Sequence, residues 1–261
     1  MSRLATIIQQ RGERRLLSTY FTAGYPTLDS TLDIAEALEK AGVDFLEIGF
    51  PYSDPVADGP VIQHSSEVAL RNGMTLDILF QQLAELRNRV SIPVFLMGYF
   101  NPVLQYGVER FCASCQAVGV DGVIVPDLPM YEYEELYRGV FERHGISNIF
   151  LLTPQTSAER ARKIDELSTS FIYLLSSSAT TGKNLSVGDD TEAYFARVRQ
   201  WGLKNPLVIG FGISDHPTFV KATDYADAAI VGSALVKRLG EPDYLDQIPG
   251  FIQQVKNGNT G

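Results

Sequence analysis

Eight short β-rich runs, each followed by a stretch with helical spacing, recur along this chain, and that alternation constrains its fold more than any other feature. The runs are LLSTYFTAG (16–24), FLEIGF (45–50), PVFLMGY (93–99), DGVIVPD (121–127), NIFLLT (148–153), FIYLLSS (171–177), PLVIGFG (206–212) and AAIVGS (228–233). Consecutive βα units predict a parallel sheet covered by helices. Between the runs, TLDIAEALEKAG places Leu32, Ala35, Leu38 and Ala41 on one helical stripe, and TLDILFQQLAELRNRV does the same with Leu76, Leu79, Leu83 and Leu86. Several helices run into glycine just before the next strand, at Gly42, Gly119 and Gly145, which suits a left-handed C-terminal cap. Eight such units in 261 residues, with no Pro/Gly/Ser-rich linker, predict one closed (β/α)8 TIM barrel over residues 1–261, frayed near 257–261, in preference to a doubly wound open sheet.

Charge narrows the class of function. A formal net charge of −9 opposes electrostatic attraction to nucleic acid or to an anionic membrane. It leaves room for a small anion, because a nest of backbone N–H groups holds phosphate in an acidic protein too. The opening MSRLATIIQQRGERR meets charges too early for a signal peptide, and no apolar run approaches a membrane span, so a cytoplasmic protein is expected. The C-x-x-C spacing of Cys112 and Cys115 lies in the helix-like YGVERFCASCQAVG without a second cysteine pair, and reads as two small buried hydrophobes.

Within the second run, Glu47 interrupts an apolar strand. An ionised side chain in an interior costs several kcal/mol unless it is paired or its pKa shifts. Alternation puts Phe45, Glu47 and Gly49 on one face and Leu46 and Ile48 on the other; Leu and Ile suit the layer against the helices, so Glu47 is expected to point into the barrel near its C-terminal end. Functional side chains in this fold gather there, although a carboxylate tied to a neighbouring hydroxyl for structure alone would read the same way. A second carboxylate, Asp58, follows in the loop PYSDPVADGP, where prolines stiffen the backbone and Gly59 permits an unusual φ. One carboxylate in a buried strand and one in a solvated loop have environments that push their pKa values apart, as a site needing both a general acid and a general base requires. After this loop, VIQHSSEVALRNG leaves room for a short extra helix at the catalytic face.

Other chemistries lack their residues. No histidine stands at the end of an expected strand, as a metal-dependent aldolase would want, and no lysine lies inside one, as a Schiff-base aldolase would need; only Lys183, in the loop ATTGKN, is placed to approach a substrate, and it is expected to be a solvated loop residue. Small-residue turns after the last strands, GFGIS (210–214) and GSALV (232–236), together with Thr181-Gly182, suggest backbone contacts to phosphate. Tyr173 and Tyr99 offer flat walls with a hydroxyl at the tip, suited to a planar aromatic ligand.

With these residues in view, the chain resembles the tryptophan synthase alpha chain family, on LEIGFPYSDPVADGP (46–60) above all and on GYFNPV, IVPDLP, TTG, GFGIS and GSA in the same order. The resemblance spans nearly the whole chain. It implies cleavage of indole-3-glycerol phosphate to indole and glyceraldehyde 3-phosphate, a retro-aldol reaction without metal or organic cofactor in this subunit. In that reading Glu47 is the general acid/base and Asp58 stabilises the protonated indole nitrogen. Phe21, Ile62, Tyr99 and Tyr173 fall at positions lining the indole pocket, and Thr181, Gly182, Phe211, Gly212, Gly232 and Ser233 around the phosphate. It also implies a pyridoxal-phosphate-containing tryptophan synthase beta chain as partner in an alpha2beta2 heterotetramer, faced by Asp54, and a lid at Ala179 to Asp189. Where the family commonly carries an arginine and a Gly-Val before Thr-Gly, this chain has SSSATTG (176–182). A phosphosugar isomerase on the same barrel, or a catalytically idle regulatory partner of a beta-type subunit, are the competing readings.

Overall fold

The computed structural model describes residues 3–175, 189–210 and 212–258. Its eight strands are β1 (Leu16–Thr22), β2 (Phe45–Gly49), β3 (Val94–Met97), β4 (Gly122–Ile124), β5 (Ser147–Leu152), β6 (Ile172–Leu175), β7 (Leu207–Gly210) and β8 (Ala228–Val231). They pair in parallel in chain order and close into a barrel, β8 returning to β1 through Leu16↔Ala228 to Thr19↔Val231. All eight expected runs form strands, with ends trimmed where the chain leaves the ladder. Tyr99, expected to close the third strand, instead precedes the helix Phe100–Tyr106.

The helices bury the stripes their spacing assigns. In Thr31–Lys40, Leu32, Ala35 and Leu38 are buried, and in Leu76–Leu83 the buried set includes Leu79 and Leu83. The second of these is shorter than its periodicity implies: the backbone breaks at Ala84–Glu85 and resumes as Leu86–Arg89, keeping Leu86 buried. Gly119 ends the helix Val108–Val118 in the left-handed conformation (φ 77°, ψ 25°), as its position suggested. The segment after the second strand is more helical than expected, with twelve residues in Pro60–Arg71. Gly59, at φ −78° and ψ 168°, has ordinary extended backbone and serves as the N-cap before Pro60. The C-terminal helix Tyr244–Asn257 carries order into the stretch expected to fray, of which residues 259–261 lie outside the described residues. Among the described residues no helix is long and apolar enough to cross a membrane.

At the N-terminal end of the barrel one device repeats. Asp44, Asp121 and Asp227 each stand just before a strand and accept the first free N–H of the preceding one: Leu17, Val94 and Leu207, all at 2.9 Å. Each carboxylate also meets a cation, Lys256 at 3.1 Å, Arg87 at 2.8 Å and Arg11 at 2.8 Å respectively. Strand-end donors that would lie unsatisfied are thereby paired. Replacing Asp121 with alanine is expected to lower unfolding free energy by about 2 kcal/mol, because it leaves the Val94 N–H unpaired and takes the carboxylate away from Arg87, which keeps its bonds to backbone carbonyls; denaturant melts read the change.

Candidate active site

The barrel interior identifies itself through its aromatic rings. Phe45, Phe95 and Phe171 meet with ring centroids 5.1 to 6.1 Å apart, joining β2 and β3 to the run that enters β6 on the far side of the barrel. Phe45 and Glu47 alternate onto the same face of β2, so Glu47 sits above this floor, toward the C-terminal end. It is fully buried, and neither carboxyl oxygen has a hydrogen-bond partner among the described residues. Burial alone pushes its pKa well above the usual carboxylate range. Burial thus favours the protonated form of this carboxyl, and among the described residues no neighbouring hydroxyl holds it in place for structure.

Asp58 departs from the expectation of a solvated loop carboxylate. It is half-buried, and burial raises its pKa to about 6, opposed by the Tyr99 hydroxyl, which donates to Oδ2 at 3.4 Å. Tyr99 in turn accepts from the Ala57 N–H at 3.0 Å and packs against Tyr52 with centroids 5.2 Å apart, so the loop is braced by an aromatic pair. The two carboxylates differ in degree, Glu47 being shifted far more because no donor offsets its desolvation.

Register shows which other side chains share the cavity. In the β1–β2 pairing Tyr20 stands opposite Glu47 and Thr22 opposite Gly49, whereas Phe21 stands opposite Ile48. Phe21, expected in the pocket, thus lies on the face of β1 turned toward the helices, where it is fully buried, and Tyr20 takes the inner position. Two glycines make room for the tyrosines: a Cβ on Gly49 would fall 2.2 Å from the Tyr20 hydroxyl, and one on Gly210 would fall 1.9 Å from that of Tyr173. Tyr173 is buried on the inner face of β6, with Glu47 and Asp58 near enough to raise its pKa further beyond the effect of burial.

Ile62 is buried in the first turn of Pro60–Arg71. Gly212, at φ +80°, follows β7, while Gly232 and Ser233 open the helix Ser233–Leu239 after β8. Gly232 borders Tyr20, whose Cβ would lie 3.6 Å from an added methyl. Thr181, Gly182 and Phe211, with residues 179–188 of the expected lid, lie outside the described residues. Asp54 is exposed in the loop after β2, beside the exposed Val56 and away from the cavity floor. Cys112 and Cys115 are both buried free thiols.

Two carboxyl groups raised to different degrees, one on β2 and one in the loop that follows it at the C-terminal mouth of a closed parallel barrel, mark the chain as a (β/α)8-barrel enzyme. The family model described as the tryptophan synthase alpha chain matches residues 7–257. The chain belongs to that family. A tryptophan synthase alpha chain of Christiangramia forsetii is 53% identical over 256 residues, covering 98% of this chain and 99% of its own. One from Flavobacterium johnsoniae is 53% identical over 98% of this chain and 100% of its own. Among solved structures, an aminoacrylate-bound tryptophan synthase from M. tuberculosis superposes with a TM-score of 0.86 at 30% identity over 99% of each chain. A tryptophan synthase complex from Pyrococcus furiosus does so with a TM-score of 0.84 at 34% identity over 92% of this chain and 97% of that one.

Proposed function

We propose that the barrel mouth cleaves indole-3-glycerol phosphate to indole and glyceraldehyde 3-phosphate, by acid–base retro-aldol chemistry in L-tryptophan biosynthesis. The observation that carries this reading is the carboxyl of Glu47, fully buried and without a hydrogen-bond partner among the described residues. A buried carboxyl whose desolvation favours the protonated form is suited to protonating carbon. Glu47 delivers its proton to indole C3, which gives a cationic indolenine. Asp58, as carboxylate, faces the indolenine N–H and stabilises its charge. The Glu47 carboxylate then takes the proton from the hydroxyl on the glycerol carbon bonded to C3; the bond between the two carbons breaks, its electrons return to the ring, and the aldehyde forms.

Ile62, Tyr99 and Tyr173 are assigned to the indole slot, and Gly212, Gly232 and Ser233, with Thr181, Gly182 and Phe211, to the phosphate. The chain acts as one barrel domain in the cytoplasm, paired with the tryptophan synthase beta chain as an alpha2beta2 assembly. Asp54 faces that partner, and pyridoxal phosphate resides there, with neither a metal nor an organic cofactor in this chain.

Incubation of the purified chain with indole-3-glycerol phosphate, with and without a beta chain, tests the reading: indole is expected in both cases and faster with the partner, whereas an isomerase would release none. Acceleration is expected because loops at the mouth gain their productive arrangement from the partner.

The pH profile has a definite sign. Asp58 must be ionised, so kcat/KM in the free chain rises with pH through about 6, and Glu47 must start protonated, so it falls again as pH passes the raised pKa of that group. Stability runs the other way for Asp58. The folded chain holds this proton more tightly than the unfolded one, so its contribution is complete below the ordinary carboxylate pKa and is lost as pH rises through about 6.

A further inference from the structure

The proposed substrate carries three hydrogen-bond donors near its reacting end. Asp58 answers the indole N–H, and Glu47 answers the hydroxyl on the carbon bonded to the ring. The hydroxyl on the next glycerol carbon has no partner in that scheme.

A chain of hydroxyls leads from the cavity wall into the first turn of Pro60–Arg71. Ser65 donates to the Ile62 carbonyl at 2.9 Å, and its oxygen lies 2.7 Å from Thr22 Oγ1. A serine has one proton to give, and here it is given to the carbonyl. The Thr22 proton therefore goes to Ser65, and the Thr22 oxygen is left to accept. Its other neighbour is the Tyr20 hydroxyl, at 3.5 Å. The sequence of donation is thus Tyr20 to Thr22 to Ser65 to the Ile62 carbonyl, with Thr22 and Ser65 both fully buried. A phenol whose proton is directed backward into the protein presents its lone pairs forward.

Position supports the same assignment. The root of Tyr20 borders Gly232, in the turn assigned to phosphate, and its hydroxyl lies over Gly49, two residues beyond Glu47. The side chain runs between the phosphate end and the acid, along the path a glycerol arm must follow. Burial and the neighbouring carboxylates raise its pKa, so the phenol stays neutral.

We infer that Tyr20 is a substrate-positioning residue whose hydroxyl, oriented as an acceptor by Thr22 and Ser65, receives the hydrogen bond of the second glycerol hydroxyl. This inference rests on the lyase reading. It makes the site selective for a glycerol arm that retains that hydroxyl, since a site built to bond a hydroxyl discriminates against an analogue lacking it.

The test compares kcat/KM on indole-3-glycerol phosphate with that on the analogue in which the second hydroxyl is replaced by hydrogen. Tyr20→Phe is expected to lower kcat/KM about five- to tenfold on the natural substrate and to leave the analogue within about twofold of wild type. Thr22→Val reproduces this pattern, and Thr22→Ser, which keeps the hydroxyl, does not; thermal unfolding of each variant confirms that it is folded. Equal losses on both substrates, or no loss on either, overturn the inference and leave the lyase reading standing. Absence of indole release by the wild-type chain overturns the lyase reading, and the inference with it.

Discussion

Glu47→Gln is expected to lower indole release by about 10²–10⁴-fold in kcat, because glutamine fills the same space and can neither give nor take the proton. The expected change in stability is small and of the opposite kind. Neither oxygen of Glu47 has a partner among the described residues, so the substitution breaks no hydrogen bond of the fold. The raised pKa fixes the sign of the pH effect: the wild-type chain loses this group's contribution as pH rises through the raised value, and the glutamine variant does not. At pH above that raised value the variant is therefore expected to melt no lower than wild type while being almost inactive. A melt that drops sharply at every pH would assign Glu47 to structure, and unchanged indole release would take the acid–base role away from Glu47.

Phe95→Ala is expected to cost about 3–5 kcal/mol of unfolding free energy, the range for removing a large aromatic side chain from a core. Phe95 is fully buried, pairs in register with Glu47, and meets Phe171 at 5.1 Å and Phe45 at 6.1 Å. Edge-on contacts of this kind add to the simple burial of area. Guanidinium unfolding should show a lower midpoint with the slope preserved, since the surface exposed on unfolding changes little. A loss below about 1 kcal/mol would mean that the barrel collapses freely around the gap, which the close packing of rings from three parts of the chain opposes.

The strands and most helices were legible because their signals are local. Alternating β-rich and amphipathic stretches gave eight strands in the right places, and the odd carboxylate among apolar neighbours marked Glu47. Phe21 shows where local reading stops. In LLSTYFT polar and apolar residues do not alternate, and all seven residues are buried, so only the pairing with β2 reveals that Tyr20 faces inward and Phe21 outward. Asp58 looks solvated in the sequence because its loop is polar and rich in proline, yet Tyr99, forty-one residues on, donates a hydrogen bond to it. The aspartates at the N-terminal end had a faint signal, an Asp immediately before each of three strands, but the donors they satisfy lie on the strand before, out of reach of any short window. Ser65 carries no signal at all: it sits in a helix that is longer than the sequence suggests, and its partner Thr22 is 43 residues away.

The seam between β1 and β8 also bears on how the chain is made. Arg11 and its partner Asp227 are 216 residues apart, and the strand they flank, β1, is entirely buried in the closed barrel. On a ribosome adding about 5–20 residues per second, β1 leaves the exit tunnel roughly 10–40 s before the strand that completes its hydrogen bonding exists. Throughout that interval one edge of β1 is open and its apolar side chains are without their final neighbours, which makes the nascent barrel a natural client for a holding chaperone. Codon choice late in the reading frame, by setting how long that edge stays open, bears on the yield of active enzyme without altering a single residue of the site.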